Sequence, residues 1–75
     1  MVTGYVLVRC EVDSVLDAVD ELDGVDGVVD VNPVTGKYDV IAEIEVDEID
    51  RLRGLVAGRF HDTEGVVDTK TCIST

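Results

Sequence analysis

The chain has few of the residues that usually stabilise a very small protein. It contains no Trp, one Phe and two Tyr, so aromatic side chains contribute little to its core. Its two cysteines, Cys10 and Cys72, are too few for the disulfide framework of a small secreted domain. With 75 residues, we expect one domain (residues 1–75) that has a single small core and gains stability by forming oligomers.

Positive charge is also scarce. The sequence has 6 Lys and Arg residues against 17 Asp and Glu residues, a formal net charge of −11. We therefore expect no direct binding to nucleic acids or anionic membranes, because both are bound mainly through basic side chains. One interpretation of this charge is simply a solvated surface. The excess of Asp over Glu and the presence of only two lysines, Lys37 and Lys70, also predict a halophilic protein whose fold loosens when salt is removed.

Long apolar runs are missing as well. None reaches the roughly 18 residues of a membrane-spanning helix, and the first residues do not resemble a signal peptide. These absences predict a cytoplasmic protein. Hydrophobic residues nevertheless make up 45% of the chain, which is typical of a folded domain and not of an acidic disordered tail.

Hydrophobic spacing predicts the order strand, helix, strand, strand, helix, strand. The predicted strands cover residues 2–10, 27–34, 38–46 and 65–73. The first helix should be capped by Asp13 and end at Asp23-Gly24, and the second should be capped by Asp47 and give way to a polar turn at 61–64. The expected buried side chains are Val15, Leu16, Val19 and Leu22 in the first helix and Ile49, Leu52, Leu55 and Val56 in the second.

An internal repeat indicates how these elements are arranged. The tetrapeptide Gly-Val-Val-Asp occurs at 27–30 and, 38 residues later, at 65–68. The same offset relates one face of the first strand (Val2, Gly4, Val6, Val8) to one face of the third (Val40, Ala42, Ile44, Val46). Two βαβ halves related by a pseudo-twofold axis explain this pattern. We therefore predict an α+β protein with a ferredoxin-like βαββαβ fold, in which a four-stranded antiparallel sheet carries both helices on one face.

The other face of this sheet carries large apolar side chains. Tyr5, Leu7 and Ile41 lie there, and an acidic protein does not ordinarily leave such residues in water. We expect these three side chains to form a dimer interface between two sheets. In this topology Cys10 and Cys72 lie roughly 20 Å apart at about 3.3 Å per residue, too far for a disulfide within one chain.

Residues 34–40, Val-Thr-Gly-Lys-Tyr-Asp-Val, form the most distinctive local motif. Gly36 can take the positive φ that a hairpin turn needs. Asp39 is disfavoured in a strand, and it leaves a carboxylate beside backbone N–H groups, an arrangement that could hold a small zwitterion. Alternatively, Asp39 accepts backbone hydrogen bonds that stiffen the hairpin.

Metal and catalytic motifs do not emerge from the sequence. The acidic clusters at 20–26 and 47–50 do not match an EF-hand, and His61 has no Cys or His partner in sequence. Ser14 and Ser74 lack a plausible base. We therefore expect no metal, no cofactor and no enzymatic activity.

Several motifs together resemble the effector-binding domain of Lrp/AsnC regulators. They are the hairpin 34–40, the helix after Asp47, the Gly65-Val66 turn and the strand segment Thr69-Lys70-Thr71. The family pattern is a Gly-x-aromatic-Asp hairpin, a helix, a Gly-Val turn and a Thr-x-Thr strand. Because the first strand begins near Met1, the sequence resembles a stand-alone form of this domain without the usual helix-turn-helix.

The resemblance implies a ligand site and a mode of assembly. Sheets would pair into dimers, dimers would form rings, and amino acids would bind at contacts between dimers. The implied ligand-binding residues are Thr35, Gly36, Lys37, Tyr38, Asp39, Thr69 and Thr71. Asp39 would pair with the ligand ammonium, and backbone N–H groups at Gly36 would bind its carboxylate.

The implied function is an amino-acid or small-metabolite sensor that modulates transcription through partners, such as a full-length Lrp/AsnC regulator. A ligand-free module whose task is hetero-oligomerisation is the alternative. Under that alternative, Thr69 and Thr71 are ordinary strand residues and Tyr38 is interface packing.

Overall fold

The protein forms one antiparallel sheet covered on one side by two helices. The structure is a computed structural model and describes residues 1–74. The strands are β1 (Val2–Cys10), β2 (Val28–Pro33), β3 (Val40–Val46) and β4 (Val66–Ile73), in the spatial order β2-β3-β1-β4. The helices are α1 (Val15–Asp23), which follows a 3-10 turn at Val12–Ser14, and α2 (Ile49–Leu55), which continues into a π-helical turn at Val56–Phe60. The predicted α+β, ferredoxin-like βαββαβ fold is confirmed.

The core lies between the helices and the two central strands. Alternate residues of β1 and β3 are paired and point toward the helices, with Val6 opposite Ala42 and Val8 opposite Val40. These four side chains are fully buried. The helical layer contributes Ala18 and Leu22 from the first half of the chain and Leu52 and Phe60 from the second. Burial of one face of each central strand is therefore confirmed.

The first helix buries a different stripe from the one predicted. Leu16 is 71% exposed, whereas Ala18 is fully buried. Ala18 shares a helix face with Val15 and Leu22, and Leu16 points about 100° away from Val15 on the helical wheel. The predicted burial of Leu16 is therefore wrong, because a large aliphatic residue was favoured over a small one that fits the spacing.

The predicted helix caps are also wrong. Asp13 lies inside the 3-10 turn, and Ser14 and Glu48 are the residues that precede α1 and α2. Neither of those two side chains makes a capping hydrogen bond within the described chain. Tertiary contacts hold the start of the first helical segment instead, since the Glu11 N–H donates to the Gly65 carbonyl at 2.8 Å.

The second helical segment is longer than predicted. Helical conformation continues through Asp62, so the first half of the predicted polar turn at 61–64 is part of the helix, and only residues 63–64 are non-helical. Thr63 is buried, and its Oγ1 donates to the carbonyl oxygen of Arg59 at 2.8 Å. Ile49, expected to be buried, is 38% exposed. No helix within residues 1–74 is long and apolar enough to cross a membrane.

The cysteines are separated as expected. Cys72 lies opposite Tyr5 on β1, and Cys10 is five residues further along that strand, roughly 17 Å away at about 3.3 Å per residue. Both thiols are free; Cys10 is buried and Cys72 is exposed. The prediction that they do not form a disulfide within the chain is confirmed.

Candidate functional site

The hairpin between β2 and β3 is fixed to the sheet at its base. The Val34 N–H donates to the Asp39 carbonyl at 2.9 Å and closes the loop. The Asp39 N–H donates to the Val8 carbonyl, also at 2.9 Å, which ties the loop to β1. Gly36 has a φ of +115°, as predicted for the turn. Around it Thr35 and Lys37 are exposed, so the tip of the hairpin is accessible.

The Asp39 side chain has a structural partner. Its Oδ2 accepts a hydrogen bond from the backbone N–H of Cys10 at 2.8 Å. Asp39 and its neighbour Tyr38 are both half-buried. The carboxylate therefore holds the end of β1 against the start of β3. A carboxylate offers about four acceptor positions, so this bond leaves capacity for a ligand donor.

The two threonines lie on the other edge strand. Thr69 is opposite Val8 and Thr71 is opposite Val6, so both are on the helix-covered side of β4. The Thr69 Oγ1 lies 3.1 Å from the Nε2 of His61, within hydrogen-bond distance. Thr69 therefore contacts the imidazole ring of the second helical segment.

The structure does not bring the hairpin and the threonines together within one chain. The hairpin joins β2 to β3, whereas β4 is the opposite edge of the sheet. Asp39 and Thr69 lie on either side of β1, a separation of about two strand spacings or roughly 10 Å. Thr71 lies further along the strand, beside Val6.

Thr71 instead lines a groove between the second helical segment and β4. This α2–β4 groove has a volume of about 300 Å³. Its lining residues are Leu52, Arg53, Val56, Ala57, His61, Thr71 and Ile73. Most of them are apolar, and Arg53, His61 and Thr71 supply the polar groups. The sequence predictions missed Arg53 and His61 as groove residues, because only the chain's return along β4 places them beside Thr71.

Local geometry opens this groove. A Cβ at Gly4 would overlap the Leu52 side chain, so the glycine lets Leu52 pack directly on β1. The π-helical turn, which begins at Val56, forms the helical wall. Single π turns are frequent at functional sites, since they widen a helix locally.

A separate, smaller hollow lies on the open face of the sheet. It has a volume of about 130 Å³ and is lined by Tyr5, Asp30, Asn32, Ile41 and Glu43. Tyr5 is 38% exposed, while Leu7 and Ile41 are half-buried. These three apolar residues thus occupy the face where they were predicted; the interface between two sheets stays a prediction.

The acidic residues on the helical side do not form a metal site. Ser14, Asp17, Asp20, Glu21 and Glu64 surround a hollow of about 490 Å³. Within residues 1–74, however, no group of three or more His, Cys, Asp or Glu side chains is arranged to hold a metal ion. This hollow is best described as a solvated acidic surface.

The thiol of Cys10 lies beside the hairpin and has a perturbed pKa. Burial raises the pKa of its thiol above the ordinary value of 9.0, and the nearby charge of Asp39 raises it further. The thiol is therefore protonated and unreactive at neutral pH.

The family model for the Lrp/AsnC ligand binding domain matches residues 3–75. The chain belongs to this family. The family includes transcription regulators. No curated protein sequence matches the chain.

Several solved structures superpose closely on this chain. TTHA0845 from Thermus thermophilus has a TM-score of 0.96 and 28% identity, over 100% of this chain and 94% of that one. E. coli AsnC has a TM-score of 0.89 and 19% identity, over 97% of this chain and 50% of that one. The transcriptional regulator NMB0573 from Neisseria meningitidis, solved as a complex with L-Met, has a TM-score of 0.87 and 14% identity, over 99% of this chain and 49% of that one. The chain thus spans about half the length of these two regulators.

Proposed function

We propose that this domain senses an amino acid or a related small metabolite and couples its binding to assembly. The observation that carries the proposal is the placement of the two candidate groups on opposite sides of β1. The hairpin presents Asp39 and Gly36, and β4 presents Thr69 and Thr71.

Because the hairpin and β4 are separated within one chain, a ligand that contacts both requires two copies of the chain. A small ligand that touched both groups in one chain would have to span the width of β1, roughly 10 Å. Two copies meeting at their sheet edges would instead place the hairpin of one beside β4 of the other. A ligand held at such a contact stabilises the assembled state by its differential affinity.

The polar groups suit a zwitterion. The free acceptor positions of the Asp39 carboxylate would receive the ligand ammonium, and N–H groups at Gly36 would donate to its carboxylate. Thr35, Lys37 and Tyr38 flank these groups in the hairpin, and the Thr71 hydroxyl would contact the ligand from the partner copy.

Assembly and partners complete the proposal. Two sheets would pair through Tyr5, Leu7 and Ile41, and dimers would then form a ring. Acting in the cytoplasm, the domain would modulate transcription by co-assembling with full-length Lrp/AsnC regulators. Direct DNA binding is not proposed, because the net charge is −11.

The substitution Asp39→Asn tests the sensing role. Asn keeps an oxygen that can accept the Cys10 N–H, but it loses the charge that attracts an ammonium group. In a thermal-shift screen of the common amino acids in molar KCl, we expect at least one to raise the melting temperature of the wild-type protein. Asp39→Asn should abolish that rise, while the oligomer mass measured without ligand stays unchanged.

Asp20→Asn is the matched control, because it removes an exposed carboxylate on α1. It should leave the ligand response intact. If no amino acid stabilises the wild-type protein, the sensing role is wrong. The second candidate, a ligand-free oligomerisation module, is favoured by the bond that Asp39 already makes to β1, and it predicts normal assembly with no ligand response.

A further inference from the structure

We propose that the α2–β4 groove receives the side chain of the ligand and selects amino acids whose side chain carries a carboxylate, with L-glutamate as the test case. This inference rests on the proposed function and names the class of ligand. The groove consists of Leu52, Arg53, Val56, Ala57, His61, Thr71 and Ile73.

The groove carries basic side chains in a strongly acidic protein. The chain carries only 6 Lys and Arg residues against 17 acidic ones, yet Arg53 and the imidazole of His61 lie on the same groove. Arg53 forms an exposed ion pair with Asp50 at 3.9 Å, which is too long for a hydrogen bond, so its guanidinium donors are available to a ligand. An anionic group is the complement of this groove in a protein whose surface otherwise repels anions.

The size and lining of the groove fit a short acidic side chain. A volume of about 300 Å³ lies at the lower end of the range for small-molecule pockets. Leu52, Val56 and Ile73 provide apolar contacts for methylene groups. Arg53 and Thr71 provide donors for a terminal carboxylate.

Hydrogen bonding fixes the position of His61. Its Nε2 lies 3.1 Å from the Thr69 Oγ1, which leaves the other ring nitrogen to interact elsewhere. The two threonines of the motif Thr69-x-Thr71 therefore have different roles. The Thr69 hydroxyl positions the imidazole of His61, and Thr71 lines the groove.

We expect an amino acid with a neutral apolar side chain to bind to this groove more weakly. L-methionine would gain the apolar contacts but would offer no carboxylate to the guanidinium of Arg53. Charge-assisted hydrogen bonds typically contribute enough for about a tenfold difference in affinity. We therefore expect L-glutamate to bind about tenfold more tightly than L-methionine.

Isothermal titration calorimetry of the intact protein with L-glutamate and L-methionine, at one fixed ionic strength, tests the inference. Arg53→Met should weaken L-glutamate binding about tenfold while L-methionine binding is retained or strengthened. Arg51→Met is the matched control. Arg51 lies on the same helix but pairs with Asp26 at 2.8 Å, away from the groove, so its loss should not change the ratio of the two affinities.

The outcomes separate the two proposals. If L-methionine binds to the wild-type protein more tightly than L-glutamate, or Arg53→Met leaves the ratio unchanged, the selection of acidic side chains is wrong and sensing stands. If neither these two nor any other common amino acid binds, the proposed function fails together with this inference.

Discussion

The two βαβ halves of the molecule share their buried faces and differ on their exposed ones. Toward the helices, β1 presents Val2, Gly4, Val6 and Val8, and β3 presents Val40, Ala42, Ile44 and Val46. On the open side, β1 presents Thr3, Tyr5 and Leu7, whereas the equivalent positions of β3 hold Ile41, Glu43 and Glu45. The repeat is thus preserved in the side chains that pack in the core, whereas the exposed side chains of the two halves differ and can serve different functions.

The loops that follow the two helices are also similar in the two halves, whereas the strands after these loops differ. Gly27 and Gly65, which are 38 residues apart, both have positive φ, +100° and +89°. The outer strands that follow them are not in the same register. Val66 lies opposite Cys10, but Val28 lies opposite Ile44 and not Glu48, the residue that the repeat would place there. Only the second half has a π-helical turn and the groove beside it.

The largest expected effect is a difference in the free energy of unfolding between alanine variants at Gly65 and at Gly27. A Cβ at Gly65 would overlap the Ser14 side chain, whereas one at Gly27 would lie 3.1 Å from Leu55 Cδ1 and 3.2 Å from Val46 Cγ1. Both alanine variants incur a backbone cost of about 1–2 kcal/mol. We expect Gly65→Ala to lower the free energy of unfolding more than Gly27→Ala does, as measured by urea denaturation in molar KCl at one protein concentration.

Ser14→Gly provides the control for this overlap. Added to Gly65→Ala, it should recover the part of the loss that comes from the overlap, because Gly costs only a few tenths of a kcal/mol at the position preceding a helix. Equal losses in the two single variants, without recovery in the double variant, would show that the halves tolerate a side chain equally.

An intermediate effect concerns the open sheet face. We expect Leu7→Asp to abolish dimer formation, because it places a charge among the apolar residues of the proposed interface. Glu45→Gln, at the equivalent position of the second half, should leave assembly unchanged. Size-exclusion chromatography with light scattering would then give 8.1 kDa for Leu7→Asp and a multiple of that mass for Glu45→Gln. Circular dichroism checks that both variants are folded, and a folded Leu7→Asp dimer would exclude this face as the interface.

The smallest effect is a pH dependence at Cys10. Its pKa in the folded state is raised above 9.0 by burial and by Asp39, so the folded protein keeps the proton at pH values where the unfolded chain has lost it. Stability should therefore fall as the pH rises from about 9.0 through the folded-state pKa. Cys10→Ser should flatten this part of the curve.

Alkylation provides an independent measurement. Iodoacetamide should modify the exposed Cys72 well before the buried Cys10. Equal rates of modification would mean that the end of β1 opens readily and that the Asp39 contact does not hold it.

Much of the fold could be predicted from the sequence, because burial imposes a period of two on strands and 3.6 on helices. The four strands, the repeat and the accessible turn at Gly36 follow from such local patterns. The helix starts were predicted wrongly because caps were inferred from residue type alone. The burial of Ala18 in place of Leu16 depended on which helix face meets the sheet.

The candidate site could be predicted only in part. Family-like motifs marked Asp39, Thr69 and Thr71, but they did not indicate that Asp39 bonds to β1 or that Thr69 contacts His61. Those contacts join residues that are 29 and 8 positions apart in the chain. No local pattern encodes such distances.

By itself, the sequence determined the fold class, the family resemblance and the acidic character of the surface. These properties depend on periodicity, motif spacing and composition, which are local features of the sequence. Only the tertiary structure decided that the hairpin and β4 lie on opposite sides of β1 and that Arg53 and His61 share a groove. The physical reason is strand order, because hydrogen bonding between strands that are distant in sequence sets which side chains become neighbours.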